Sequence, residues 1–278
     1  MLNLAQLTKG LMILKQKMNY SYNKIKKIIN KKNKSKIICL TAYSKNIAET
    51  IDPYTDIILV GDSLGSVLYN YSNTRNVSLD TMIEHSKSAR LGIKKSLMVV
   101  DMPYNTYRTK KEAFHNAKKI IKKTKCDAVK LEGGSSVAKV IEHLVKNKIP
   151  VMGHLGILPQ SVKGKFKSKG KKPSERKKIL MDAKTLQKIG VFSIVLECVE
   201  KTLSKEITNI LKIPTIGIGS SNHCDGQILV LDDLIGLHET KIKFVKKFGN
   251  IKKNIRDAVY KFKKQVLSKK YPTKKYSY

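Results

Sequence analysis

Asp56-Ile-Ile-Leu-Val-Gly-Asp-Ser-Leu-Gly65 decides how the rest of the chain is read. Four apolar residues, mostly β-branched, run straight into Gly61, Asp62, Ser63, Leu64 and Gly65. A continuous apolar run of strand length fits a strand buried on both faces, as in a parallel sheet. The Gly-Asp-Ser-Leu-Gly that follows is turn chemistry. It places the Asp62 carboxylate at the strand's C-terminal end, where α/β folds keep their reactive groups. Asp and Ser also cap helices and shape turns for purely local reasons. The stretch therefore takes its meaning from the strands around it.

Outward from it, the same grammar repeats. Ile37 to Tyr43 is a first strand, and Ser96-Leu-Met-Val-Val-Asp-Met-Pro103 a third that closes on Asp101. Ala128-Val-Lys-Leu-Glu-Gly-Gly134 ends in Lys130, Glu132 and a glycine pair, and Val151-Met-Gly-His-Leu-Gly156 carries His154. Phe192 to Cys198 ends at Glu197; Pro214 to Gly219 and Gly226 to Leu231 complete eight strands. Helical stretches lie between them at Leu79 to Leu91, Lys110 to Lys123, the apolar face from Val137 to Val145, Glu175 to Ile189 and 202–211. A loop rich in Lys, Gly and Ser spans 160–174. Strands alternating with helices predict a parallel sheet with right-handed crossovers. Eight such units without a dividing linker predict a single (β/α)8 barrel over 35–270. Residues 1–34 are expected to add a helical extension packed on the barrel, with Leu4, Leu7, Leu11 and Leu14 on one face, and 271–278 a tail. The competing open doubly wound sheet lacks a Gly-x-Gly-x-x-Gly after its first strand.

At 278 residues, 41% hydrophobic and 28% charged, the chain has the composition of a soluble globular protein. It has no apolar run of membrane-spanning length and no secretory signal, so a cytoplasmic enzyme is expected. Cys39, Cys126, Cys198 and Cys224 are scattered without a Cys-x-x-Cys pair, which argues against disulfides and metal–thiolate clusters. The net charge of +35 invites a nucleic-acid reading. Against it, only Arg75, Arg90, Arg108, Arg176 and Arg256 are arginine, and the lysines are spread along the chain. Arginine supplies the planar fork that reads phosphates and bases, whereas lysine is a solvated point charge. No specific nucleic-acid partner is expected.

Asp62, Asp101, Glu132, His154 and Glu197 all fall at or near predicted strand ends, which a barrel brings to one face. Three carboxylates held together repel one another and call for a cation or protons. Oxygen donors without cysteine suit a hard cation, Mg2+ first. Lys130 shares the face of Glu132, where it can offset charge or hold an anionic substrate. A metal beside a lysine suits a 2-oxo acid, since chelation acidifies the C–H next to the carbonyl.

Val60-Gly-Asp-Ser-Leu-Gly65, Val129-Lys-Leu-Glu-Gly-Gly134, Val151 to Ser161, Leu196-Glu-Cys-Val199, Ile216-Gly-Ile-Gly219 and Asp225-Gly-Gln-Ile-Leu-Val230 together resemble the ketopantoate hydroxymethyltransferase family, in order, from about Ile37 to Tyr271-Pro272. The resemblance implies a barrel of the phosphoenolpyruvate mutase / isocitrate lyase type, assembled as a homo-oligomer, a decamer of two pentameric rings. It also implies transfer of a one-carbon unit from 5,10-methylenetetrahydrofolate to 3-methyl-2-oxobutanoate, giving 2-dehydropantoate for pantothenate synthesis. By motif, Asp62 and Asp101 match Mg2+ carboxylates, with Glu132 completing the acidic shell. Ser63 and Lys130 match contacts to the substrate carboxylate, His154 a substrate-side neighbour, and Glu197 the proton-transfer residue; Asp62 and Asp101 face the substrate as well.

The chain departs from the family at Ser44, at Asn73 to Leu79, at Ser220-Ser221 and most strongly at Lys163-Gly-Lys-Phe-Lys-Ser-Lys-Gly170. These changes spare the metal carboxylates, and set against the family pattern they put in question the loop over the substrate and the folate contacts that the resemblance implies. Two other readings stand beside this one. A related Mg2+-dependent carbon–carbon lyase would use the same barrel, though the loop at 160–174 lacks the cysteine such lyases carry. A non-catalytic basic protein with a vestigial barrel would bind nucleic acid without Mg2+-dependent turnover.

Overall fold

The computed structural model describes residues 21–161, 167–239 and 242–278. Eight strands, β1 (Ile37–Thr41), β2 (Ile57–Val60), β3 (Leu97–Asp101), β4 (Ala128–Glu132), β5 (Val151–Gly156), β6 (Ser193–Glu197), β7 (Thr215–Ile218) and β8 (Gly226–Leu229), pair in sequence order. Every pairing is parallel, and β8 closes on β1. The predicted architecture, a closed barrel of eight parallel strands with helices between them, is the observed one. Each strand is four to six residues long, the length of the apolar runs that signalled it.

Residues 21–30 are helical and form α1. The crossovers carry α2 (Lys45–Ile51), α3 (Leu64–Tyr69), α4 (Leu79–Gly92), α5 (Lys110–Thr124), α6 (Ala138–Lys146), α7 (Pro173–Lys188) and α8 (Lys201–Ile210). Two of these starts show clear local causes. Thr109 caps α5 by accepting from Glu112 N, within the Ser/Thr-x-x-Glu signature of a helix start. Glu200 accepts from Thr202 N and Leu203 N at the head of α8, where a carboxylate also meets the positive end of the helix dipole. Only residues 219–225 join β7 to β8, so the last crossover has no helix. Both strands there are only four residues long, and a short return can span them.

The barrel interior is filled from the bottom by side chains of one strand face. Ile37, Cys39, Ile57, Leu59, Leu97, Val99, Ala128, Met152, Val195, Ile216 and Ile228 form one buried cluster, which Ile25 and Ile28 of α1 join. The described part of the N-terminal extension thus closes the barrel floor. Leu4, Leu7, Leu11 and Leu14 lie outside the described residues, as do Lys163 to Phe166 of the lysine-rich loop. All four cysteines are free and buried. None of the described helices is long and apolar enough to cross a membrane.

Residues 230–278 form a second compact unit. Within it lie α9 (Leu231–Leu234) and α10 (Ile251–Leu267). Ile255, Val259, Phe262 and Val266 of α10 are exposed apolar side chains.

Candidate active site

Parallel register decides which side chains become neighbours. Asp101 is the register partner of Lys130, Glu132 of His154, and Gly156 of Glu197. Alternate residues of a strand share a face. Above Val99 on β3 therefore comes Asp101; above Ala128 on β4, Lys130 and Glu132; above Met152 on β5, His154; and above Val195 on β6, Glu197. The lower members belong to the apolar cluster, and the upper members form a charged layer resting on it. Asp101, Glu132 and Glu197 are the last residues of their strands, and His154 sits inside β5. Asp62 comes two residues after β2, in the turn, and reaches the layer from its rim.

Asp62, Asp101, Lys130, Glu132 and His154 are all buried. Lys130 Nζ donates to Asp101 Oδ1 at 2.7 Å, and Asp62 N donates to Asp101 Oδ2 at 3.0 Å. Gly61 permits that approach: a Cβ there would stand 3.0 Å from Ser63 Oγ and 3.4 Å from Asp101 Oδ2. Ser63 Oγ lies 2.9 Å from the Tyr43 hydroxyl. Gln160 Nε2 donates to Asp62 Oδ2 at 2.8 Å, and Gln160 N donates to Glu132 Oε2 at 3.0 Å. The His154 ring stands between two carboxylates. Nδ1 is 3.4 Å from Glu132 Oε1, and Nε2 is 3.1 Å from Glu197 Oε2. Neither approach is aligned as a hydrogen bond. Among the described residues, both ring nitrogens and Glu132 Oε1 are buried without an aligned partner.

The electrostatics follow from this crowding. Burial, then Asp101 and Glu132, push the Asp62 carboxyl up to about 8 against the opposing pull of Lys130 and Gln160. Burial works against the Lys130 ammonium, but Asp101, Glu132 and Asp62 outweigh it and hold the group above the usual lysine range. Burial would also raise Glu132, yet His154, Lys130 and the Gln160 N–H bring it below the usual glutamate range. Burial and Lys130 disfavour the imidazolium of His154, while Glu132 and Glu197 raise it to about 9. At neutral pH the site thus carries two buried cations and one carboxyl holding a proton for want of a third.

That proton marks a charge deficit which a hard cation would fill. The available donors are carboxylate oxygens, among them the unaligned Glu132 Oε1, and these are the ligands Mg2+ takes. Among the described residues, no three of His, Cys, Asp and Glu converge as a ready metal cage. The oxygens of Asp101 are spent on Lys130 and on Asp62 N, and one oxygen each of Asp62 and Glu132 on Gln160. By donor type and charge the residues fit the cation.

All the predicted site residues come to this one end of the barrel. Sequence reasoning gave no role to Tyr43, Tyr107 or Gln160. Tyr43 and Gln160 stood inside recognised strand and motif stretches, but each lies in a loop without periodicity. The signal that could have found Gln160 is its place six residues after His154 in a strand-exit segment.

A sequence profile of ketopantoate hydroxymethyltransferase matches residues 22–274. The 3-methyl-2-oxobutanoate hydroxymethyltransferase of Pelagibacter ubique is 67% identical over 255 residues, covering 92% of this chain and 99% of that one. That of Anaplasma marginale is 46% identical over 250 residues, covering 89% and 90%. Among solved structures, phosphoenolpyruvate phosphomutase from Streptomyces platensis superposes with a TM-score of 0.60 at 8% identity, over 88% of this chain and 87% of that one. The 2,3-dimethylmalate lyase of the PEP mutase/isocitrate lyase superfamily gives 0.60 at 10% identity, over 88% and 85%. At such identities these two structures speak for the fold alone.

Proposed function

The chain belongs to the ketopantoate hydroxymethyltransferase family, and from that premise we propose that it transfers a hydroxymethyl group from 5,10-methylenetetrahydrofolate to 3-methyl-2-oxobutanoate, with Mg2+ in the site, to give 2-dehydropantoate. The observation that carries the metal-assisted reading is the buried layer of Asp62, Asp101 and Glu132, in which one carboxyl is driven to hold a proton. Asp62, Asp101 and Glu132 would hold the ion. Bound there, Mg2+ supplies Lewis acidity, drawing electron density from the keto group of the substrate and so acidifying the neighbouring C–H.

The residues of the chain do the rest. Asp62 and Asp101 face the substrate as well as the metal. Lys130 and Ser63 take the substrate carboxylate: the first as a buried ammonium, the second as a hydroxyl oriented by Tyr43. His154 lines the substrate side and is held between Glu132 and Glu197. Glu197 accepts the proton leaving the carbon next to the keto group; that carbon then bonds to the methylene carbon of the donor, whose bonds to the folate nitrogens break, and water supplies the hydroxyl oxygen as tetrahydrofolate leaves. Its side chain is 15% exposed, against 2% for Glu132, so it can reach an arriving substrate without leaving its strand. The apolar floor of Val99, Ala128 and Met152 keeps water from approaching from below.

We further propose that the protein works in the cytoplasm as a homo-oligomer, a decamer by resemblance. The exposed apolar stripe of α10 supports self-association, and sedimentation of the purified protein would measure it. The function itself is tested by incubating the protein with 3-methyl-2-oxobutanoate, methylenetetrahydrofolate and Mg2+, with and without chelator. Chelator-sensitive 2-dehydropantoate is the expected product, and its absence under all conditions would refute the assignment.

A further inference from the structure

Gln160 is 1% exposed, and its polar groups are all engaged. Its main-chain N–H donates to Glu132 Oε2 at 3.0 Å, and its carbonyl accepts from Arg75 Nε at 2.8 Å. The side-chain Nε2 donates to Asp62 Oδ2 at 2.8 Å and to Met102 O at 3.0 Å. The side-chain Oε1 accepts from the Tyr107 hydroxyl at 2.5 Å. Arg75, in turn, lies 5.1 Å over the Tyr104 ring. Segments following β2, β3 and β5 thus meet on one residue.

We infer that Gln160 is a positioning residue for the Mg2+ carboxylates, acting through Asp62 and Glu132. The inference rests on the metal reading given above. An amide in a cavity can ordinarily turn over and exchange its oxygen for its nitrogen. This one cannot. Met102 O is a main-chain carbonyl and only accepts, so the NH2 end must face it. The oxygen end is then left to the Tyr107 hydroxyl. With both ends fixed, Asp62 Oδ2 always meets an N–H donor. A donor aimed at one carboxylate oxygen favours the ionised form there. It also leaves Oδ1 as the oxygen for a cation or a substrate group.

The main-chain N–H of the same residue holds Oε2 of Glu132, which enters from a different strand. One residue therefore sets two carboxylates against each other in space. The main-chain bond to Glu132 places the loop, and the side-chain amide adds a donor aimed at Asp62 that is particular to this residue. Hydrogen-bonded partners behind metal ligands are known to change metal affinity by about 10–100-fold when removed.

The test uses Gln160→Met, which keeps length and loses the amide, and Gln160→Asn, which keeps an amide that falls short of Asp62. Each is compared with wild type by calorimetric Mg2+ titration in the presence of 3-methyl-2-oxobutanoate, by thermal melting, and by turnover against Mg2+ concentration. Folded variants should bind Mg2+ roughly tenfold or more weakly. The Mg2+ needed for half-maximal turnover should rise by more than kcat at saturating Mg2+ falls. Wild-type Mg2+ affinity in either folded variant would overturn the role of Gln160 and leave the metal reading standing. Should Gln160→Met fail to fold, Gln160→Asn decides alone. A wild-type protein that binds no Mg2+ would overturn the metal reading and this inference with it.

Discussion

Glu197 Oε2 stands 3.1 Å from His154 Nε2, and the opposite nitrogen of the same ring faces Glu132 Oε1 at 3.4 Å. The imidazole therefore separates the carboxylate assigned to proton transfer from one assigned to the metal. Glu197→Gln keeps the shape of the side chain and removes the carboxylate. Turnover should fall about 100-fold or more, the scale of a lost general acid or base. Mg2+ and oxo-acid binding should stay close to wild type in titration calorimetry. Near-wild-type turnover would make Glu197 a structural residue, and lost Mg2+ binding would make it a ligand.

The two raised groups predict how metal-free protein responds to alkali. His154 is raised from its ordinary 6.5 to about 9 by Glu132 and Glu197, against burial and Lys130. A base raised in the folded state adds stability that is complete below 6.5 and is lost as pH climbs through about 9. Asp62 acts with the same sign. Its folded form holds a proton up to about 8, whereas its ordinary value is 3.8, so stability falls across that interval too. Urea unfolding in the presence of chelator should lose on the order of 3 kcal/mol between pH 6.5 and 9 through His154. His154→Gln should flatten that slope, and Mg2+ should offset the share of Asp62 by binding the folded state. Stability that rises with pH over this range would contradict both assignments.

Asp62→Asn and Asp101→Asn each remove a charge that a hard divalent cation needs. Each should abolish turnover chiefly by weakening Mg2+ binding, and calorimetric titration with the oxo acid present would show it. Because Asp62 carries a proton at neutral pH in the metal-free protein, Asp62→Asn should cost little stability in chelator. Unchanged Mg2+ affinity in both variants would move the metal elsewhere.

The net charge of +35 gathers in places, as in the depression lined by Lys24, Lys26, Lys27, Lys94 and Lys95. Such a patch attracts any polyanion through counterion release. DNA binding by fluorescence anisotropy should fall steeply with added salt and be indifferent to sequence. Preference for one sequence at physiological salt would reveal a specific partner.

Much of this was legible in the chain itself, for a definite reason. Strand positions followed from apolar runs such as Ile57 to Val60, because a strand buried on both faces leaves no room for polar residues. Asp101, Glu132 and Glu197 were legible as site residues because a polar side chain ending such a run must meet the mouth of the barrel. What escaped lay where no period operates. Within α2 only Ala48 and Ile51 are buried, too few to draw a stripe. Gln160 gains its importance from Met102, Tyr107 and Arg75, contacts between loops that no local pattern encodes.

The height of a residue within the barrel separates two kinds of change. Val99, Ala128, Met152 and Val195 occupy the lower storey, and Asp101, Lys130, Glu132, His154 and Glu197 the upper one. Repacking the lower storey would alter heat resistance without replacing a single reactive group. Exchanging the upper residues would rewrite the chemistry while the strands kept their register. An engineer seeking a different carbon–carbon bond reaction has five side chains to vary and a scaffold that need not be redesigned.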